Sequence, residues 1–181
     1  MKLKTRDIVL AALHIATVAV SAQLKVATEP IPVTLQVFAV FLGSLLLGGR
    51  RAAIAQFAYM LVGLFGVPVF ANGGGPGYLL RPSFGYIIGF LPAAYISGSL
   101  GRKKPGFLYA SLGTALGLLV LYAVGVPYSY FVLRFVVRAD VQISQILAGA
   151  LYVYLPVDVL KIMTAVAVAV PIMKRGERFF S

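Results

Sequence analysis

Six apolar runs, separated by links that carry lysine and arginine, leave this chain few possible folds. The runs are Ile8–Ala22, Val33–Gly48, Ala52–Val67, Phe84–Gly101, Phe107–Val126 and Leu155–Met173. They read as membrane spans, although the first three are short against the roughly 17–25 residues of a spanning helix. Six spans of about 20 residues consume about 120 residues of a chain of 181, leaving no room for a second folded domain. The expected fold class is therefore all-α, an integral membrane six-helix bundle that takes up residues 1–181. The opening Met1-Lys2-Leu3-Lys4-Thr5-Arg6 reads as the start of an uncleaved first span.

Charge sets the expected orientation, because cytoplasmic links collect lysine and arginine. Lys2, Lys4 and Arg6, then Arg50 and Arg51, then Arg102, Lys103 and Lys104, then Lys174, Arg175 and Arg178 fall on alternate links. The opposite set holds Lys25, Arg81, Arg134 and Arg138, four against eleven. This predicts six crossings with the N- and C-termini cytoplasmic. A re-entrant hairpin over Val33–Val67 would bury Arg50 and Arg51 at its tip, at about 2.5–3.5 kcal/mol or more for each charge. Two full spans joined by a tight Gly48-Gly49-Arg50-Arg51 turn are the better reading.

Composition excludes other classes. The chain is 60% hydrophobic and 12% charged, where soluble proteins run near 45–50% and 25%. The net charge of +11 is spread between the apolar runs and not gathered on one stripe, which argues against nucleic acid. Cysteine is absent and His14 is the only histidine, so no thiolate or histidine metal cluster is expected, and no cofactor. Gly43–Arg50 nearly matches a phosphate-binding loop but lacks its Lys-Ser/Thr ending. No serine–histidine or paired-carboxylate arrangement suggests an enzyme.

Two outer segments are long. Pro68–Pro82 contains Gly73, Gly74, Gly75 and Gly77 and can fold sharply. Such irregular backbone is tolerated at a membrane only when buried in protein or lining a wet cavity. Pro127–Tyr154 reads either as a plain loop or as an interfacial helix, since Phe131/Phe135 and Arg134/Arg138 are four apart. The last span is expected to begin at Pro156. One helix from Val141 to Met173 would be about 50 Å long, and proline suits a first helical position.

With this topology, six unexpected polar residues share the outer half: Gln36, Asn72, Arg81, Tyr86, Asp158 and Lys161. Asp158 and Lys161 are three apart and share a helix face. Ionisable residues inside spans are rare and usually functional. Lys161 needs a negative partner, which is either Asp158 in a structural clasp or a bound anion. Taken alone, Asn72 also suits a turn, Gln36 an interhelical hydrogen bond, Arg81 an interfacial anchor and Tyr86 an aromatic belt. His14 reads as an interhelical hydrogen bond. Ala12, Ala16 and Ala19, extended by Ala22, form a small-residue stripe that lets another helix approach closely, as do Gly85/Gly89 and Gly113/Gly117.

Five blocks in series carry a family resemblance: Pro30-x-Pro32-x-Thr34-Leu35-Gln36, Gly66-Val67-Pro68-Val69-Phe70-Ala71, the glycine loop, Gly85-Tyr86-x-x-Gly89-Phe90 and Leu155-Pro156-x-Asp158-x-x-Lys161. From about Arg6 to Arg175 the chain resembles the BioY family, the biotin-binding S components of energy-coupling-factor (ECF) vitamin transporters. The stretch Leu80–Phe84 departs from the family pattern. The resemblance implies a multi-pass protein of the cell membrane that captures biotin from outside. It implies a transmembrane coupling protein and two cytoplasmic ATPases as partners, with no nucleic acid. It places Asn72, Asp158 and Lys161 in the biotin site and turns the Ala12/Ala16 stripe toward the coupling partner. The alternatives are an S component for another small vitamin and a stand-alone proton-coupled carrier.

Overall fold

Backbone polar groups in hydrocarbon must be satisfied within the chain, and this chain satisfies most of them by helix. The computed structural model describes residues 5–28, 30–104 and 106–180, with side chains up to residue 175. Lys2, Lys4 and the Arg178 side chain therefore lie outside the described residues. The order is α1 (Thr5–Gln23), β1 (Lys25–Val26), β2 (Val33–Thr34), α2 (Gln36–Leu47), α3 (Gly49–Leu64), a 3-10 turn (Pro76–Leu80), α4 (Phe84–Gly101), α5 (Phe107–Phe131), a π turn (Val132–Val136), α6 (Ile143–Gly149), a second π turn (Ala150–Tyr154) and α7 (Leu155–Phe180). Four helical stretches are long and apolar enough to cross a membrane: Thr5–Gln23, Phe84–Gly101, Phe107–Val136 and Ile143–Arg175. At 12 and 16 residues, α2 and α3 are shorter.

Three boundaries differ from the sequence expectation. Val33 and Thr34 do not open a span; they pair antiparallel with Val26 and Lys25 in a small hairpin. Arg50 and Arg51 lie in the first turn of α3, because Gly48 alone, at φ +85°, reverses the chain; a side chain there would be strained. The last helix does not start at Pro156. The chain is helical from Ile143 onward, and a π turn directly precedes the proline. A wider turn relieves the clash of the proline ring with the carbonyl four residues back. The segment 127–154 is thus the tall ends of two helices joined near 137–142, neither a loop nor a separate interfacial helix. Asp158 consequently lies inside a long helix and gains nothing from a free N-terminus.

Small residues draw the helices together. Gly85 lies against Tyr128, Gly89 against Leu121, Gly113 against the Ser97 carbonyl and Gly117 against Phe41, so both glycine pairs pack inside the bundle. At Gly98 the approach is backbone to backbone: a Cβ there would sit 2.4 Å from the Ser44 carbonyl oxygen and 2.5 Å from the Gly49 nitrogen. Phe41, Tyr59, Phe70, Phe84 and Leu121 are fully buried in the resulting core. At one end of the bundle Arg51 pairs with Asp7 at 3.3 Å. Arg102 donates to the Leu46 carbonyl at 2.8 Å, closing the end of α2. The basic links from α1 to α4 therefore meet at the same end.

The glycine-rich loop folds back onto the other end. Phe70 and Gly73 exchange backbone hydrogen bonds, and the Gly75 N–H donates to Gly63 at 2.7 Å. Phe70 is the anchor: its ring meets Tyr59 edge-on at 5.4 Å, Tyr78 at 4.6 Å and Phe84 at 6.3 Å. Phe70, Ala71 and Tyr78 are thereby buried, whereas Pro68, Asn72, Gly74, Pro76 and Gly77 remain exposed, so aromatic packing pins the loop without covering all of its irregular backbone.

Candidate functional site

Between the hairpin, the glycine loop, α4 and α7 lies an open cavity of about 560 Å³, counting the solvent space at its mouth. The hairpin contributes Ile31 to Thr34, α2 contributes Gln36 and Val37, and the loop contributes Ala71 and Tyr78. Tyr86, Ile87 and Phe90 line it from α4, and Tyr154, Asp158 and Lys161 from the last helix. The walls are mainly apolar and the polar groups few, the usual build of a small-molecule site.

Its polar centre is a buried ion pair. Lys161 Nζ lies 2.7 Å from Asp158 Oδ1, with the two side chains 12% and 10% exposed. The i,i+3 spacing on one helix dictates the meeting. The Tyr122 hydroxyl, from α5, donates to Asp158 Oδ2 at 2.8 Å. Breaking a buried pair by removing one partner costs about 3–5 kcal/mol, yet keeping it adds little over an apolar replacement. Fold stability alone therefore gives weak reason for placing these two charges here.

Gln36 opens α2 on the cavity floor. Its Nε2 donates to the Tyr59 hydroxyl at 2.8 Å, which in turn donates to the Val69 carbonyl at 2.8 Å. Gln36 thus ties α2 to α3 and the glycine loop while one face remains on the cavity. Tyr86 lines the wall and meets Tyr122 edge-on at 5.8 Å. At the mouth, the Tyr154 hydroxyl donates to the Ile31 carbonyl at 2.9 Å, joining the hairpin to the last helix. A second, wider hollow shares Ile31, Tyr86 and Tyr154 with the first.

Of the residues singled out from sequence, the structure brings Gln36, Tyr86, Asp158 and Lys161 together around one space. Asn72 and Arg81 stand apart from its lining. Asn72 is exposed and accepts from Lys25 Nζ at 2.8 Å; Lys25 also donates to the Ala71 carbonyl. Arg81 is exposed and lies over the Tyr78 ring at 5.6 Å. Each therefore adjoins a lining residue, Ala71 or Tyr78. On α1, Ala12 and Ala16 are exposed and Ala19 is half-buried. His14 faces inward and meets Gln56 Nε2 at 2.8 Å, the interhelical bond expected of it.

Sequence reasoning missed Tyr122, Tyr154 and Lys25. Tyr122 is one tyrosine in a long apolar run, and its tie to Asp158 spans 36 residues. Tyr154 lay in a stretch read as connection. Lys25 had one usable signal: a lone lysine between a span and a proline-rich turn.

Comparison with known proteins follows the same lines. The family model for BioY matches residues 1–178. A probable biotin transporter BioY from Lysinibacillus sphaericus is 42% identical over 135 residues, covering 72% of this chain and 67% of the relative. The biotin transporter BioY of Thermotoga maritima is 34% identical over 170 residues, 93% of this chain and 96% of the relative. Among solved structures, the S-component for biotin from an ECF-type ABC transporter superposes with a TM-score of 0.81 at 21% identity, covering 96% of this chain and 95% of that one. That likeness supports the fold, and the sequence matches give the family: this chain belongs to the BioY family.

Proposed function

We propose that the chain is the substrate-capture subunit of an ECF-type vitamin transporter, taking biotin from outside the cell for ATP-driven uptake. The observation that carries the reading is the Asp158–Lys161 pair, buried at 2.7 Å in an apolar-walled cavity of a BioY family member. Biotin offers two ureido N–H donors, a ureido carbonyl, an apolar body and a carboxylate. Asp158 accepts from ureido N–H groups. Lys161 has three N–H donors and gives one to Asp158, so others remain for a ligand oxygen. Tyr86, Ile87 and Phe90 hold the rings, Gln36 adds a donor from the floor, and Asn72 and Arg81 act from the rim. A ligand that leaves these groups unpaired forfeits about 1–3 kcal/mol for each, which selects a ureido compound over a plain fatty acid.

In this reading the whole chain is one membrane domain of the cell membrane, with both termini cytoplasmic, and it performs no reaction itself. Its named relatives are biotin transporters. The exposed Ala12/Ala16 face of α1, with Ala19 at its edge, docks the transmembrane coupling protein, which links it to two cytoplasmic ATPases. Calorimetric titration of the detergent-solubilised protein with biotin is the test. Asp158→Asn and Lys161→Ala are each expected to weaken binding tenfold or more while a thermal melt stays cooperative. Unchanged affinity removes these residues from the site.

A further inference from the structure

Two donors grip the carboxylate of Asp158 in the cavity, and one of these two holders is not in the cavity wall. Asp158 Oδ1 accepts from Lys161 at 2.7 Å and Oδ2 from the Tyr122 hydroxyl at 2.8 Å. The two donors sit on different helices, α7 and α5, so they grip opposite oxygens independently. The terminal torsion of an aspartate is broad and nearly two-fold; a donor on each oxygen removes that freedom. An ionised carboxylate offers about four lone-pair positions. With one on each oxygen taken, one on each remains for a guest. Tyr122 is itself held by Tyr86, whose ring meets it at 5.8 Å and 89°. Tyr86 and Asp158 line the cavity while Tyr122 does not.

We propose that Tyr122 is a positioning residue: its hydroxyl sets the plane of the Asp158 carboxylate so that the two remaining acceptor positions meet N–H donors of the ligand, and it acts without touching that ligand. The inference rests on the biotin reading of the cavity. Removing the hydroxyl leaves the cavity's shape and charge count intact but frees the carboxylate to turn. Affinity then falls although no wall residue has changed.

Tyr122→Phe, which keeps the ring and its contact with Tyr86, is the variant to make in the full chain, reconstituted in lipid nanodiscs. Biotin binding is expected to weaken about tenfold, the scale of one hydrogen bond to a charged group. The second readout is the infrared carboxylate band. The chain has three aspartates, Asp7, Asp140 and Asp158. Labelling them with 13C and subtracting the Asp158→Asn spectrum isolates the band of interest. Weaker binding together with a shifted Asp158 band supports the proposal. Wild-type affinity overturns it, and so does weaker binding with an unmoved band, since the hydroxyl would then act on the ligand or on packing. Tyr122→His keeps a ring and an N–H donor and is expected to bind more tightly than Tyr122→Phe; equal or weaker binding counts against the proposal. Failure of the wild-type protein to bind biotin defeats the functional reading instead, and is seen before any variant is compared.

Discussion

Helices α1 and α4 are nearly the same length and hydropathy, 19 residues at 1.4 and 18 at 1.3, yet 22% of one is buried in the bundle and 56% of the other. Hydropathy places both in a membrane and says nothing about their roles there. What separates them is where the small residues point. On α4, Gly85, Gly89, Gly98 and Gly101 are buried and let neighbouring backbones close in. On α1, Ala12 and Ala16 are exposed. The same device, a stripe without bulk, is spent in one helix and left open in the other.

The comparison breaks most readily at Gly98. A valine there drives its Cβ into the Ser44 carbonyl and the Gly49 nitrogen, both backbone atoms that cannot step aside. Gly98→Val is expected to cost about 3 kcal/mol or more, seen as a large drop in melting temperature and aggregation on size exclusion. A smaller effect is expected on the buried side-chain tie between α1 and α3. Gln56→Leu leaves the His14 ring nitrogen without its 2.8 Å partner, and thermal shift should register about 1–3 kcal/mol. The smallest effect on stability belongs to the open face. Ala12→Trp and Ala16→Trp are expected to move stability by no more than about 0.5 kcal/mol and to spare biotin binding, yet to abolish co-purification with the coupling protein. Normal assembly of the tryptophan variants would erase the functional contrast between the two helices.

These readings were unequally legible in sequence. Spans and glycine pairs follow from residue type and local spacing, because apolar length and absence of bulk act wherever the chain goes. Asp158 and Lys161 were legible for the same reason, being three apart on one helix and costly in hydrocarbon. The start of the last helix was not. Proline was read as a beginning because it lacks an N–H, but a π turn before it lets the helix run through. Tyr122 and Tyr154 act through contacts 36 and 123 residues away, and nothing in their own surroundings marks them. Asn72 and Arg81 carry polar groups on the right loop, but their side chains engage Lys25 and Tyr78 rather than the cavity.

The shortness of α2 sets a distance scale for the whole molecule. Twelve residues make a rod of about 18 Å, against roughly 30 Å of hydrocarbon. The hairpin leads directly into α2, so Gln36, its first residue, meets the cavity from the head of a rod too short to span alone. A site built at the head of so short a helix needs neighbouring elements for its other walls, and the hairpin, α4 and the last helix supply them.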